Sequence, residues 1–355
     1  MNDGQNIKVN KEGISEAIMQ NPTPKDIWNS NPSDLRMLLD TKALKPLSNT
    51  IRFYAPSFSY YHTKQYHSNV DAFPTISVTG NHCKLNCQHC GGKILETMHP
   101  TSSPADLFEL SKQLKLAGAK GVLISGGCLL DGSVPLHEFT DALSRLKCDL
   151  DLTVFVHTGI VNTHAASVLK KANVDAVLID VIGSNNTIKH TLNLNVTVQD
   201  YAKSLQILEA INLKVVPHVI VGLNHGKLDG EYNALQIIAN YKPAAVVIIA
   251  FMPIPGTRMA QTPPPQPLDI ARTLATARAL FPETPIALGC MRPKGQSRSQ
   301  TDVYALKAGV DAIAFPSETA IDFAKEKCFN IEFSAYCCAQ LCHEFDGVNF
   351  PKAFK

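Results

Sequence analysis

The sequence predicts an α/β protein: a (β/α)8 barrel of the TIM type, with an N-terminal helical extension and a C-terminal cysteine-bearing tail. Three observations predict it. From residue 75 onward, short β-branched apolar runs alternate with helical patterns of roughly 10 to 18 residues. One turn from helix to strand recurs in "LAGAKGVLI", "KANVDAVLI" and "KAGVDAIAF". The loop after the first run is filled by cysteines, where an open doubly wound sheet would carry a glycine-rich phosphate turn.

The runs are "TISVTG" (75–80), "GVLISG" (121–126), "LTVFVHT" (152–158), "AVLIDV" (176–181), "VVPHVIVG" (215–222), "AVVIIAF" (245–251), "PIALGC" (285–290) and "AIAFPS" (312–317). Most are near-continuous apolar segments, the pattern of parallel strands covered on both faces. Eight such runs over about 240 residues match a closed barrel better than an open sheet. Between the first two, Ser103 is placed as an N-cap, Pro104 at the first helical position and Gly118 at the helix end. The barrel takes residues 71–320. Residues 1–70 read as an extension with short helices at "SEAIMQ", "PKDIWNS" and "PSDLRMLLD", Pro24 and Pro32 falling in first turns. The aromatic stretch "IRFYAPSFSYYHTKQYH" has no clear period and is expected to pack across one end of the barrel. Residues 321–355 are expected to form a helix and a tail closing the barrel mouth.

Of 355 residues, 45% are hydrophobic, enough to bury a large core without disulfides. Only 18% are charged and the formal net charge is +2, with lysines and arginines scattered, which argues against a nucleic-acid or polybasic membrane surface. The polar start "MNDGQNIKVNKEG" has no signal-type run, and the apolar stretch "AAVVIIAFMPIP" is too short to cross a bilayer. A cytoplasmic location is therefore expected, where ten cysteines point to metal, cluster or redox chemistry.

The stretch "GNHCKLNCQHCGG" (80–92) places Cys83, Cys87 and Cys90 at spacings of four and three. It directly follows the first predicted strand, on the face of a barrel where loops carry chemistry. A structural zinc site wants four closed ligands, which His82 or His89 could complete. A four-iron cluster held by three thiolates instead keeps one iron open for a reaction.

This CxxxCxxC loop resembles that of the radical S-adenosylmethionine enzymes. The resemblance implies a 4Fe-4S cluster on Cys83, Cys87 and Cys90 whose open iron binds S-adenosyl-L-methionine and whose electron cleaves it to a 5′-deoxyadenosyl radical. "ISGG" (124–127) resembles the family's glycine-rich contact to the cofactor, through Gly126 and Gly127, although Cys128 stands where an acidic residue is usual. Asp180 resembles the carboxylate that holds ribose hydroxyls. "VIVG" (219–222), with Ile220 and Gly222, and "FMPIPGT" (251–257), with Met252, resemble the edges that read adenine.

Seven cysteines remain. Cys148 and Cys328, near helix ends, read as small buried apolar residues. Cys128 and Cys290 fall at strand ends, with Arg292 close to the latter, and "FSAYCCAQLC" (333–342) offers Cys337 and Cys338, with Ser334 and Cys342 as weaker donors. Biotin synthase is similar over most of the barrel, and its second cluster uses strand-end cysteines and an arginine, a pattern met here only in part. Cys128, Cys290 and a tail cysteine, Cys338 before Cys337, are expected to hold a second 4Fe-4S cluster as sulfur donor. "FPTISVTGNHCKLNCQHCGGKILETM", "SGGCLLDGSVPL" and "LGCMRPKG" together resemble the two-protein lipoyl synthases of archaea and some bacteria. That resemblance implies a sulfurtransferase of lipoate biosynthesis. Its partners would be an octanoylated lipoyl carrier protein, a related second synthase subunit and a reduced electron donor protein. Within enzymes, the alternative is a biotin synthase-like or metallocofactor-maturation radical enzyme acting on a small molecule.

Overall fold

The computed structural model describes residues 22–41, 43–56, 61–66 and 72–345. The strands are β1 (Thr50–Tyr54), β2 (Thr75–Ser77), β3 (His99–Pro100), β4 (Gly121–Ser125), β5 (Thr153–Thr158), β6 (Ala176–Asp180), β7 (Val215–Val221), β8 (Val246–Ala250), β9 (Ile286–Leu288), β10 (Ala312–Ala314) and β11 (Asn330–Ser334). They form one parallel sheet in the order β11-β1-β10-β9-β8-β7-β6-β5-β4-β2-β3. The eight expected runs are β2 and β4 to β10, adjacent in space in chain order, as successive βα units dictate. The sheet curls into a half-barrel: alternate residues of seven strands (Tyr54, Phe155, Leu178, Val216, Val247, Ala287 and Ala314) meet in one buried cluster inside the curl. A flat sheet could not bring them together.

Three strands were not foreseen. β1 lies within the stretch read as aperiodic and pairs in parallel with β10, Arg52 opposite Ala312. β11 lies in the segment read as tail and pairs with β1. Together they extend the sheet at its β10 edge, and β3 extends it beyond β2. Tyr61 stacks near Phe315 at 5.7 Å and donates to the Pro316 carbonyl at 2.7 Å, while Tyr66 stacks on Phe333 at 5.0 Å, so these aromatics do pack across one end of the sheet. The helix read at "SEAIMQ" lies outside the described residues.

Helix starts follow local chemistry. Thr23 and Asp26 form a capping box ahead of the helix Pro24–Asn29, Asn31 caps Pro32–Asp40, and Ser103 caps Pro104–Leu116. Arg272 locks the extension to the barrel, donating to the carbonyls of Ile27, Trp28 and Ser30 at 3.0, 2.7 and 2.8 Å, where the helix end carries negative charge.

The tail enters the curl instead of lying over its mouth. Cys338, Leu341 and Cys342 join the inner cluster, His343 stacks on Phe155 at 5.7 Å, and Lys214 Nζ, just before β7, lies 3.0 Å from His343 Nδ1. Apolar side chains on the tail have nowhere better to go than the concave face, which is otherwise lined by alanine and valine.

Arg292 does not open into the mouth. It is fully buried, paired with Asp302 through Nε at 2.8 Å and donating to the carbonyls of Gly289 and Phe315 at 2.7 and 3.1 Å. With all three guanidinium nitrogens bonded to protein, it ties β9 to the loop after β10. Replacing Arg292 by Met would strand the buried Asp302 carboxylate and is expected to cost about 3–5 kcal/mol. Thermal unfolding should show a midpoint several degrees lower, with iron loading at the cysteine loop retained; an unchanged midpoint would contradict this role.

Candidate active site

The cysteine loop is held from three sides. From β4, the Cys128 carbonyl accepts from Lys84 N at 2.9 Å and lies 3.9 Å from Cys83 Sγ. From the segment after β6, Leu192 O takes Cys87 Sγ at 3.2 Å, Thr191 O takes Gln88 N at 2.8 Å, and Asn193 donates to Asn86 O at 2.8 Å. From the loop after β8, Met259 N donates to Gln88 O at 3.3 Å. Asn86, Gly91 and Gly92 adopt φ of 47°, 52° and 79°, which lets the chain turn back twice within seven residues of sequence. Gly127 packs directly beneath: a Cβ there would lie 2.0 Å from His82 O and 2.6 Å from Cys83 Cα. Gly126 is less crowded, with Thr79 Oγ1 3.1 Å from the place of its Cβ.

Donor atoms of Cys87, His89 and Cys90 lie within 4.8 Å of one another. The Cys87 thiol is hydrogen-bonded to Cys90, which, with His89 nearby, holds Cys90 down at about 4 and pushes Cys87 up. Nδ1 of His89 is buried without a hydrogen-bond partner. Two thiols and an imidazole converge on a loop clamped by glycine; Cys83 stands outside that donor group but is close enough for its charge to act on Cys87, so the loop suits a three-thiolate cluster, and His89 also permits the zinc alternative.

Cys128 joins this group. Burial pushes its thiol up to about 12, with further contributions from Cys83, Asp180 and Cys90. Cys290 has other neighbours: its thiol is hydrogen-bonded to Cys338, which also engages Cys337, and this contact, with burial, raises Cys290 well above its ordinary value. The expected trio of Cys128, Cys290 and a tail cysteine is therefore split, Cys128 lying with the first loop and the tail supplying both Cys337 and Cys338 beside Cys290. Cys148 and Cys328 are exposed, not buried. Cys148 ends the helix Thr140–Cys148, and Cys328 occupies a left-handed turn at φ 58° just past another.

Asp180 ends β6. His157, Asp180 and His218 each lie two residues beyond a member of the inner cluster (Phe155, Leu178 and Val216), so strand alternation turns all three inward. His157 Nε2 is 3.5 Å from Asp180 Oδ1, and the two imidazoles are 5.3 Å apart. Burial alone would lower His157 and raise Asp180, yet each is carried the opposite way by the other's charge. Single polar residues inside apolar runs were the available signal for this trio.

Ile220 is half-buried in β7 and Met252 half-buried just past β8. Gly222 is a turn residue at φ 73°: its N–H goes to Glu231 at 2.8 Å, its carbonyl takes Gly226 N at 2.8 Å, and a Cβ would strike Pro265 at 2.8 Å. Its backbone N–H and carbonyl are thus both engaged within the loop.

Residues 77–229 match the family model described as the radical SAM superfamily, a family that implies a 4Fe-4S cluster and S-adenosylmethionine. Among curated proteins, it is 27% identical to a biotin synthase of Synechococcus sp. (strain JA-3-3Ab), over 70% of this chain and 82% of that protein. It is 24% identical to one of Rickettsia felis, over 68% and 78%. Among solved structures, HydG, a maturase of the FeFe-hydrogenase, superposes with a TM-score of 0.61 at 15% identity, covering 90% of this chain and 74% of that one. Methylornithine synthase superposes with a TM-score of 0.54 at 13% identity, covering 87% and 96%. At such identities these two structures share the fold. Among the described residues no helix is long and apolar enough to cross a membrane.

His218 is 6% exposed, and burial, reinforced by His157, lowers it to about 4. Between that value and the usual 6.5 the unfolded chain binds a proton that the folded chain refuses. Stability worth roughly 3 kcal/mol at neutral pH is therefore lost as pH falls from 6.5 toward 4. In metal-free protein, His218→Gln is expected to flatten the decline of the thermal midpoint over that range; equal declines would show that His218 protonates freely in the fold.

Proposed function

We propose that the chain is a sulfur-inserting radical S-adenosylmethionine enzyme of the lipoyl synthase type, acting on an octanoyl chain borne by a lipoyl carrier protein. The observation that carries this reading is the second thiol group, Cys290 with Cys337 and Cys338, gathered at the cluster inside the curl and apart from the first cysteine loop. Three thiols with no disulfide partner, set against a buried wall, are suited to a second 4Fe-4S cluster. When bound, the cofactor and the two clusters would supply a 5′-deoxyadenosyl radical to open an unactivated C–H bond and a sulfide to replace the hydrogen.

The protein's own part is to hold and shield. Cys83, Cys87 and Cys90 would hold the first cluster. Gly126 and Gly127 allow a close backbone approach for the cofactor's methionine end, and Asp180 would accept from ribose hydroxyls. A related second synthase subunit and a reduced electron donor protein complete the proposed partners.

A second reading, a biotin synthase-like enzyme acting on a small molecule, is favoured by the curated relatives. Anaerobic incubation of reconstituted protein with S-adenosylmethionine, reductant and either octanoylated carrier protein or desthiobiotin separates the two. Mass spectrometry is expected to find sulfur added to the octanoyl chain, at about one turnover because the donor cluster is consumed. Sulfur added to desthiobiotin alone would select the second reading.

A further inference from the structure

We infer that His157, Asp180 and His218 form a binding site for one divalent transition-metal ion of the zinc class, separate from both cysteine groups. Their donor atoms lie within 4.8 Å of one another on the three adjacent strands β5, β6 and β7. Two imidazoles and one carboxylate are a complete three-ligand set that leaves a fourth position open.

The hydrogen bonds around the trio set the rings as ligands. His218 Nδ1 lies 3.0 Å from the Val216 carbonyl. A carbonyl only accepts, so Nδ1 carries the proton and Nε2 keeps its lone pair. His157 is likewise held by a hydrogen bond to the Thr158 backbone, while its Nε2 faces Asp180. Backbone carbonyls that fix the tautomer of a ligating histidine are the usual outer support of a metal site. Oδ1 of Asp180 is buried and has no hydrogen bond of normal length, an unmet need that a cation would meet.

The spans agree in scale. Ligands at about 2.0–2.1 Å from a tetrahedral ion lie about 3.4 Å apart. The gap between His157 and Asp180 is already 3.5 Å, and the others are no more than 4.8 Å, so closing on an ion needs shifts of about 1.4 Å at most. The open position faces the inside of the curl, so an oxygen, nitrogen or thiolate donor of a bound molecule could complete the shell. Occupation by metal and contact with a ribose draw on the same carboxylate, so the two exclude each other in time. The metal site stands on the geometry of the trio and not on the ribose reading.

The test is zinc binding by the full chain after anaerobic reconstitution of its iron. Protein incubated with zinc and then desalted is analysed for zinc, iron and sulfide, and the zinc environment is read by K-edge X-ray absorption. The expected result is one zinc per chain in a shell of nitrogen and oxygen alone. The His157→Gln/His218→Gln variant is expected to bind zinc at least tenfold more weakly with iron and sulfide unchanged. No zinc retained by wild type, sulfur in its shell, or undiminished binding by the double variant would each overturn the site. The ligand identity read on wild-type protein decides the matter even if the variant folds poorly. Because no readout involves S-adenosylmethionine, failure here leaves the sulfur-insertion reading untouched.

Discussion

The site depends on how closely one peptide approaches another. Gly127 lies so near the cysteine loop that a methyl group there would sit 2.0 Å from His82 O. The approach brings the loop after β4 against Cys83 and lets the Cys128 carbonyl take Lys84 N. It also explains why the segment after β4 is glycine-rich: a side chain would lift the cysteine loop from the sheet and scatter its thiols. The other clamps, from residues 190–193 and from Met259, then need only fix the loop's outer edge.

Much of this was legible in the sequence, for identifiable reasons. A parallel strand covered on both faces writes itself as a continuous apolar run, so β4 to β8 could be read directly. Helix starts at Pro24, Pro32 and Pro104 announced themselves through their caps. β1 and β11 could not be read this way. β1 reads TIRFY, with polar Thr50 and Arg52 at alternate half-buried positions, and β11 is half-exposed with charged and polar positions, so neither looks like a buried parallel strand. The burial of Arg292 could not be read either, because its partner, Asp302, lies ten residues on in a helix that only folding brings back.

The cysteines divide along the same line between local and non-local information. Cys83, Cys87 and Cys90 are near in sequence, and a single loop suffices to join them. Cys290 meets Cys338 only because the tail turns into the curl, a move governed by the apolar residues around it rather than by the cysteines. Their shared place at strand ends suggested Cys128 as a companion of Cys290, whereas folding sets Cys128 beside the first loop. The inward histidines follow a third pattern, in which strand alternation alone fixes the face and neighbouring strands supply the partner.

The central claim is that two separate thiol groups serve one interior. It is tested most directly by counting iron and measuring 5′-deoxyadenosine in two anaerobically reconstituted variants, one lacking Cys83, Cys87 and Cys90 and the other lacking Cys290, Cys337 and Cys338. The account predicts that each keeps about half of the wild-type iron, at about four irons per cluster, and that only the second still cleaves S-adenosylmethionine. Full iron in the second variant, or 5′-deoxyadenosine from the first, would contradict it.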